Sequence, residues 1–417
     1  MEKLLIKGKK NLSGSISIAG SKNAALPILA ATLLCNDAII KNIPLVKDVF
    51  TMIELLNSIG LTTKLNKTKK LLTVKNYSKN LNTTAPYRLV KTMRAGVLVL
   101  GPLLARYKKA KVSLPGGCAI GTRPVDLHLF ALKKLGANIK IKNGYIYANA
   151  NNGLKGANIK FPTISVGATE NAILAATQAT GTTILTNCAI EPEVLDLILF
   201  LNNLGGNIKV KKRKITIMGS RKIYPATHKV MFDRIELGTY LIASAITESK
   251  ISFSKINPKI IRTEINVLKK MGVNITTSKN KITVNKSKNI KKITLKTEPY
   301  PGFPTDLQAQ IMVLMTRAKG LSKIKENIFE NRFMHVPELK RMGAKIKIKN
   351  NIASVMGPTN LSGAEVMATD LRASVSLVLA GLIADNRTLI NRIYHLDRGY
   401  EQLEKKLKKC KAIIRRI

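Results

Sequence analysis

The chain alternates between two kinds of apolar segment. One kind is a short amphipathic helix pattern that ends at a glycine and is followed by a strand with alternating apolar and polar positions. The pattern recurs at Gly60, Gly136, Gly205, Gly272 and Gly343, and in a weaker copy with Lys411 at the glycine position. Consecutive copies lie 67 to 76 residues apart. Such a regular period predicts six similar repeats.

The second kind of segment is apolar almost all the way round and occurs once in each repeat. These segments begin at Asn23, Met93, Ala168, Glu236, Asp306 and Leu371. Helices of this kind are buried on every side, whereas the alternating strands leave one sheet face in water. The pattern therefore predicts an α/β fold with central helices and outer sheets, the reverse of a doubly wound fold. Six repeats divide into two domains of three, with a boundary near Phe232.

The amino-acid composition indicates which kinds of partner the protein could bind. The chain has 70 lysines and arginines against 24 aspartates and glutamates, a net charge of +46. This excess suits either a polyanionic partner or a lysine-rich surface. The lysines are scattered, aromatic residues make up only 5% and tryptophan is absent, which favours the surface explanation over specific nucleic-acid binding.

The spacing of the cysteines and the hydropathy of the chain indicate the cellular compartment of the protein. Cys35, Cys118, Cys188 and Cys410 are far apart, which argues against a disulfide scaffold and a thiolate metal cluster. The most apolar stretches, 95–105 and 375–384, are about half the length that a bilayer requires. The N-terminus lacks the apolar core of a secretory signal. We expect a cytoplasmic protein.

Polar residues gather at the first turns of the apolar helices. They are Lys22, Asn23, Arg94, Thr169, Glu170, Asp233, Arg234, Asp306, Asp370 and Arg372. Helix N-termini carry partial positive charge and free N–H groups, so they hold anions well. Any one of these residues could be an ordinary cap. Together they predict a site for an anionic substrate.

Several longer motifs identify the family. They are GSKNAALPIL (20–29), LVKTMRAG (89–96), SLPGGCAIGTRPVDLH (113–128), SVGATEN (165–171), FDRIELGT (232–239), FPTDLQAQ (303–310), ENRFMHVPELKRMGA (330–344), MATDLRASVSLVLAGL (367–382) and IYHLDRGYE (393–401). Together they resemble the enolpyruvyl transferase family, in its sugar-nucleotide branch, the UDP-N-acetylglucosamine 1-carboxyvinyltransferases. The resemblance implies two inside-out α/β barrel-like domains of three repeats each.

The resemblance also implies a reaction. The enolpyruvyl group of phosphoenolpyruvate passes to the 3′-hydroxyl of UDP-N-acetylglucosamine by addition and elimination, with release of phosphate, in peptidoglycan precursor synthesis. No cofactor and no metal are expected, and the protein is expected to act as a monomer without a membrane partner. Two alternatives stay open: the sister activity on shikimate 3-phosphate, and a nucleic-acid-binding protein on the same scaffold. The cysteine-bearing loop and its uridine segment favour the sugar nucleotide.

The resemblance assigns four catalytic residues. Lys22 is expected to hold the phosphate of phosphoenolpyruvate, and Arg398 to clamp an anionic group. Cys118 is expected to be the general acid, because a thiol is largely protonated at neutral pH. Asp306 is expected to be the base for the sugar hydroxyl.

Further residues match the family's substrate-binding segments. They are Asn23, Arg94, Arg123, Pro124, Val125, Asp126, Leu127, Thr163, Ile164, Ser165, Val166, Gly167, Ile328 and Arg372. Thr163 departs from the lysine or serine that relatives carry, which puts its side-chain contact in doubt. Residues expected to line or brace the cleft are Lys47, Asp48, Asp233, Arg234, Glu236 and Asp370. For His128 and His395 we expect a structural role.

The predicted domains are discontinuous in sequence. Residues 22–232 are expected to form the N-terminal domain, which carries the Cys118 lid loop. Residues 1–21 and 233–417 are expected to form the C-terminal domain. Because the chain crosses twice, we expect a hinge, with the substrate cleft between the domains.

Overall fold

The computed structural model describes residues 2–77, 81–116, 125–220 and 222–417. Its strands are β1 (Leu4–Lys7), β2 (Ser13–Ser15), β3 (Asp37–Lys41), β4 (Thr62–Asn66), β5 (Leu71–Lys75), β6 (Thr84–Ala85), β7 (Lys109–Ser113), β8 (Asn138–Lys142), β9 (Tyr145–Asn149), β10 (Asn158–Lys160), β11 (Thr182–Thr186), β12 (Asn207–Lys211), β13 (Lys214–Met218), β14 (Ala226–Lys229), β15 (Lys250–Ser254), β16 (Ile275–Ser278), β17 (Lys281–Val284), β18 (Thr294–Lys296), β19 (Gly320–Lys325), β20 (Lys345–Lys349), β21 (Ile352–Gly357), β22 (Glu365–Met367), β23 (Arg387–Asn391) and β24 (Ile413–Arg416).

The helices are α1 (Lys22–Ala31), α2 (Lys47–Ile59), α3 (Tyr87–Val90), α4 (Leu100–Tyr107), α5 (Asp126–Lys134), α6 (Val166–Ala176), α7 (Pro192–Asn203), α8 (Arg234–Ile246), α9 (Arg262–Lys270), α10 (Gln308–Met315), α11 (Val336–Arg341), α12 (Leu371–Ile383) and α13 (Leu403–Lys409). Short 3-10 segments span Thr32–Leu34, Arg94–Val99, Pro258–Ile261, Thr305–Leu307 and Ile393–Arg398. Among these described helices, none has the length and hydropathy of a transmembrane span.

The described strands form sheets of four that share one plan, so the predicted six repeats are confirmed. The strand orders are β14-β3-β5-β4, β6-β7-β9-β8, β10-β11-β13-β12, β2-β15-β17-β16, β18-β19-β21-β20 and β22-β23-β1-β24. In each sheet the first pair of strands is parallel and the other two pairs are antiparallel. In four of these sheets a central helix lies along the chain between the two parallel strands; in the other two, α1 precedes β3 and α8 precedes β15, and the parallel partners β14 and β2 come from distant parts of the chain.

The chain divides into two compact units. The described residues of 20–231 form one, here called the N-terminal unit, and those of 2–19 and 232–417 form the other, the C-terminal unit. In the N-terminal unit the late strand β14 completes the first sheet by pairing with β3. In the C-terminal unit β1 and β2 enter two different sheets, β1 between β23 and β24 and β2 beside β15.

The central helices carry the core of each unit, as the apolar segments predict. Every residue of α8 and α10 is buried, as is α6 from Ala168 to Ala176. Small residues allow this close packing: a Cβ on Gly101 of α4 would lie 2.4 Å from Oδ1 of Asn171 on α6. A side chain at Gly101 would therefore force these two helices apart.

The repeat glycines end their helices in the left-handed conformation. Their φ angles run from +87° to +119°, and Lys411 takes the same place in the last repeat with φ +71°. A residue with a Cβ is strained there by roughly 1 kcal/mol. The last repeat keeps the same backbone conformation, but Lys411 adopts it less readily than the glycine of the other repeats.

Replacing Lys411 should therefore stabilise the protein. Lys411→Gly removes the backbone strain, although the unfolded chain gains freedom, so we expect a net gain of about 0.5–1 kcal/mol. Denaturant unfolding followed by circular dichroism measures the change.

The reverse change provides the matched control. At Gly343, φ is +94° and the nearest atom to an added Cβ is 3.6 Å away, so Gly343→Lys tests backbone strain with little steric clash. It should lose about 1 kcal/mol. Equal stability of the Lys411→Gly and parent proteins would contradict the prediction.

Candidate active site

Lys22 begins α1 in the N-terminal unit. Ser21 caps the helix by accepting a hydrogen bond from the Ala24 N–H at 3.4 Å. The Lys22 Nζ lies 3.3 Å from Oδ2 of Asp48, and both side chains are largely buried. Asp48 belongs to the first turn of α2, whose first residue, Lys47, is exposed. A buried lysine held at a helix N-terminus is suited to binding an anion.

Arg94 lies close in the fold to the helix that begins at Lys22. It begins the 3-10 segment that leads into α4, and this segment packs against α1. Arg94 is partly buried, as is Asn23 next to Lys22. Two of the predicted anion ligands therefore stand on neighbouring elements of one unit.

The predicted uridine and diphosphate segments also belong to the N-terminal unit. Val125 is the buried N-cap of α5, followed by the exposed Asp126 and the partly buried Leu127. Cys118, Arg123 and Pro124 lie outside the described residues. Ser165 caps α6 by accepting from the Ala168 N–H at 3.3 Å. Around it are Thr163 and Val166, which are exposed, and Ile164, which is partly buried.

His128 joins these two segments. The Oδ1 of Asn171 accepts from the Gly101 N–H at 2.7 Å, which fixes the orientation of the amide. The Asn171 Nδ2 therefore lies in position to donate to Nδ1 of His128, 3.1 Å away. The ring packs on Gly167, where a Cβ would come within 3.0 Å of Cε1. His128 thus positions the start of α6.

In the C-terminal unit two arginines flank Asp306. The Arg332 Nη2 is 2.8 Å from Oδ1 of Asp306, and the Arg372 Nη2 is 3.2 Å from Oδ2. The arginine side chains are 5% and 4% exposed, against 27% for Asp306. The two buried guanidinium groups hold the Asp306 carboxylate, part of which remains exposed.

Arg332 is a site residue that the sequence prediction missed. It lies in the motif ENRFMHVPELKRMGA, so the resemblance covered it, but no role was assigned. Its guanidinium packs at 5.6 Å from the Phe329 ring centroid. The only signal available was an arginine inside a strongly matching motif, and that signal does not say which way the side chain points.

Arg372 follows the N-cap of α12. Asp370 caps this helix by accepting from the N–H groups of Arg372 at 2.8 Å and Ala373 at 3.1 Å. The Arg372 guanidinium lies 5.3 Å from the Tyr400 ring centroid. Burial lowers the pKa of a guanidinium, but Tyr400, Asp306 and Asp233 outweigh it at Arg372, and its pKa is raised. Arg372 is a permanent cation at this position.

Arg398 closes the 3-10 segment Ile393–Arg398 and is partly buried. The following residue, Gly399, lies against the start of α12, because an added Cβ would be 2.7 Å from Cδ2 of Leu371. Arg398 and Arg372 therefore belong to adjoining segments. Burial and the charge of Arg398 lower the pKa of His395 in the same turn.

Ile328 is tied to the segment that carries Asp306. Its N–H donates to Oε1 of Glu326 at 2.8 Å, and the Thr305 hydroxyl donates to Oε2 of the same carboxylate at 2.9 Å. Glu326 is buried. This shared carboxylate fixes the position of Ile328 relative to Asp306.

The remaining charged candidates hold the scaffold. Asp233 caps α8 by accepting from the N–H groups of Ile235 and Glu236. Arg234 pairs with Glu264 at 3.4 Å. Glu236 accepts from Lys406 at 2.5 Å and from the Ala19 N–H at 2.8 Å, and burial raises its pKa. Glu236 thereby fixes the segment before residue 20 to α8.

The structure thus groups the described candidates in two sets. Lys22, Asn23, Arg94 and the segments around Val125 and Ser165 stand in the N-terminal unit. Asp306, Ile328, Arg372 and Arg398 stand in the C-terminal unit, together with Arg332. Across the described residues, no group of histidine, cysteine, aspartate and glutamate is arranged to hold a metal ion.

The whole chain is similar to known proteins. Residues 6–407 match the family described as EPSP synthase (3-phosphoshikimate 1-carboxyvinyltransferase). The chain is 62% identical to a UDP-N-acetylglucosamine 1-carboxyvinyltransferase of Pelagibacter ubique (strain HTCC1062) over 100% of both chains. It is 50% identical to a protein of that name in Rickettsia akari (strain Hartford), again over 100% of both.

Two solved structures share the fold. The enolpyruvyl transferase NikO from Streptomyces tendae superposes with a TM-score of 0.89 at 23% identity, covering 100% of this chain and 98% of that one. An EPSP synthase from Acinetobacter baumannii gives 0.77 at 17% identity over 100% of both chains. At these identities the likeness concerns the fold alone.

The buried His335 should make the folded protein less stable in acid. Neither ring nitrogen has a hydrogen-bond partner, and burial lowers its pKa from 6.5 to about 4. The unfolded state then binds a proton that the folded state excludes. Stability should be complete above pH 6.5 and fall as the pH drops towards 4, by about 2–3 kcal/mol at pH 4.5.

The variant His335→Leu isolates this contribution. It removes the titrating group, so its unfolding free energy should change less between pH 7 and pH 4.5 than that of the parent. Denaturant unfolding at the two pH values gives both differences. Parallel pH dependence in the two proteins would show that His335 does not titrate in this range.

Proposed function

The chain belongs to the EPSP synthase family of enolpyruvyl transferases, and from that premise we propose that it transfers the enolpyruvyl group of phosphoenolpyruvate to the 3′-hydroxyl of UDP-N-acetylglucosamine. The observation that carries the proposal is the 62% identity, over the full length of both chains, to a relative with that named activity. The reaction releases phosphate and supplies a peptidoglycan precursor. The four scattered cysteines suit a cytoplasmic location.

Lys22 and the arginines bind the donor. Phosphoenolpyruvate carries a phosphate and a carboxylate, and planar guanidinium groups grip such anions through paired hydrogen bonds. Lys22 binds the phosphate from the N-terminus of α1, where the helix dipole adds to its charge. Arg94, Arg372 and Arg398 complete the anion ligands, and Arg332 joins them beside Asp306.

Asp306 accepts the proton of the sugar hydroxyl. In the structure each of its oxygens faces a guanidinium. The arriving donor offers Arg332 and Arg372 a second anion, so one oxygen of Asp306 becomes free to accept the hydroxyl proton. Binding of one substrate thereby prepares the base for the other.

Asp306 removes a proton from the acceptor, and Cys118 donates a proton to phosphoenolpyruvate. As the sugar oxygen bonds to carbon 2 of the enolpyruvyl group, the thiol gives its proton to carbon 3. Elimination then returns a proton from carbon 3 to the thiolate, and phosphate leaves. The proton that Asp306 took from the hydroxyl leaves with the phosphate, so the thiol and the carboxylate both end the cycle in their starting forms.

The N-terminal unit holds the nucleotide. Arg123, Pro124, Val125, Asp126 and Leu127 bind uridine. The start of α6, with Thr163, Ile164, Ser165, Val166 and Gly167, faces the diphosphate with free N–H groups, as helix N-termini do for phosphates. Thr163 brings no charge, so the helix terminus carries this contact. Ile328, Asp306 and Asn23 contact the sugar.

Shikimate 3-phosphate is the competing acceptor, since the matching family is described by that activity. The decisive assay measures phosphate release from phosphoenolpyruvate with UDP-N-acetylglucosamine, with shikimate 3-phosphate, and with neither. We expect phosphate release only in the reaction that contains UDP-N-acetylglucosamine as the acceptor. Release with shikimate 3-phosphate, or none with any acceptor from folded protein, would overturn the proposal.

Lys22→Ala is the first variant for this assay. It removes a charged contact to the donor phosphate, so we expect turnover to fall at least a hundredfold, in the range found when one charge-stabilising donor is lost. Lys64→Ala is the matched control, because Lys64 is exposed on β4. Its turnover should equal that of the parent. Equal losses in the two variants would show that Lys22 has no special role.

A phosphonate epoxide tests Cys118. Fosfomycin resembles the donor, so the anion ligands should seat its ring against the thiol, which opens it to a thioether. Cys35, Cys188 and Cys410 are buried. Burial raises the pKa of Cys35 and of Cys188 to about 12 and also raises that of Cys410. Mass spectrometry should find one adduct, on Cys118.

The nucleotide and a substitution sharpen the result. UDP-N-acetylglucosamine should accelerate the adduct, because it completes the donor site. Cys118→Asp should resist the drug yet keep activity, since a carboxylic acid can still donate the proton if its surroundings raise its pKa. Adducts on the three buried cysteines, or a drug-sensitive Cys118→Asp enzyme, would refute the assignment.

A further inference from the structure

The turn that carries Arg398 is held by the last strand of the chain. Asp397 stands directly before Arg398 in the 3-10 segment Ile393–Arg398. The Arg416 Nη1 lies 3.0 Å from Oδ2 of Asp397, and its Nη2 lies 2.7 Å from Oδ1. Two parallel N–H···O bonds of this kind fix the direction of the pair as well as its distance.

Arg416 stands on a rigid base. It lies on β24, where it pairs with Leu4 of β1. Beyond the strand, the Lys3 and Ile417 backbones exchange hydrogen bonds of 2.8 Å and 2.9 Å. The neighbouring strand residue Ile414 is buried. Arg416 therefore has little freedom to follow a moving turn.

Arg416 has two further partners, which differ in what they hold. The Nη1 lies 2.9 Å from Oε2 of Glu2, and the Nη2 lies 3.4 Å from Oε2 of Glu404 on α13. Glu2 is 64% exposed, against 24% for Asp397. Exposed pairs such as the one with Glu2 are weak, and Glu404 makes one long contact, so the doubly bonded pair with Asp397 is the strongest of these contacts.

The opposite side of the turn is also fixed. Gly399 packs so closely on the first residue of α12, Leu371, that no Cβ fits between them. Within the turn, the N–H groups of Gly399 and Tyr400 donate to the Leu396 carbonyl at 3.1 Å and 2.9 Å. The backbone at Arg398 thus lies between a glycine seated on α12 and a carboxylate held by Arg416.

We propose that Arg416 is a positioning residue for Arg398, acting through Asp397. The proposal rests on the function proposed above, in which Arg398 binds an anionic group of phosphoenolpyruvate. A guanidinium delivers its full binding energy only when its fork meets the anion in the right direction. The pair with Arg416 fixes the backbone from which Arg398 projects.

The test compares Arg416→Gln, Asp397→Asn and the double variant. Each single change should raise KM for phosphoenolpyruvate about tenfold, keep kcat within threefold, and leave KM for UDP-N-acetylglucosamine unchanged. Because both residues act through one contact, the double variant should be no worse than either single variant. Asp397→Asn keeps the side-chain shape, so it guards against a folding defect in Arg416→Gln.

Two controls separate positioning from general stability. Glu2→Gln removes a partner of Arg416 that does not touch the turn, and Arg415→Gln removes an exposed arginine from the same strand. Both should keep the parent KM for phosphoenolpyruvate. An unchanged KM in folded Arg416→Gln and Asp397→Asn, even with a lower melting temperature, would overturn the proposal.

Calorimetric binding of phosphoenolpyruvate to the same variants keeps the two proposals apart. Weaker binding to Arg416→Gln and Asp397→Asn, but not to the controls, supports positioning whether or not the parent turns over. Absence of nucleotide-dependent phosphate release by the parent sinks the proposed function alone. Equal binding across all variants sinks the positioning role alone.

Discussion

The burial of the central helices along nearly their whole length is the constraint on which the rest of the structure depends. A helix with no face in water can present polar chemistry only at its ends. In this chain the charged side chains follow that rule: Lys22 begins α1, Asp306 precedes α10 and Arg372 lies in the first turn of α12. At those ends the helix dipole favours anions, so the same burial that builds the core also selects the class of substrate.

The acidic residues at these ends keep the cations in place. Asp48 holds Lys22, and Asp306 holds both Arg332 and Arg372. A buried cation without a partner would cost several kcal/mol, so each carboxylate allows its partner to stay charged before substrate arrives. In the proposed function, an anionic substrate takes over part of that role once it binds. The site is therefore prepared for a strongly charged ligand, and a neutral one would gain little from it.

The sequence predicted the features that leave a local mark. The spacing from Gly60 to Lys411 indicated six repeats, which the sheets of the described residues confirm. The apolar segments indicated inner helices, which the burial of α6, α8 and α10 confirms. It did not predict that β1 and β2 enter two different sheets, because partners hundreds of residues apart leave no local signal. It also missed the place of Arg332 beside Asp306, since a motif fixes a residue's position in the chain and not the direction of its side chain. The assignments of Cys118, Arg123 and Pro124 stay predictions, outside the described residues.

The position of β1 between β23 and β24 determines the order in which the two units can fold during synthesis. The last sheet of the C-terminal unit needs residues 4–7 together with strands that end at residue 416. The N-terminal unit has its full set of strands once residue 229 has been made. It can fold early, while the first residues of the chain wait, unpaired, for the last ones. Because that pairing spans almost the whole sequence, closure of the final sheet is a late event of biosynthesis.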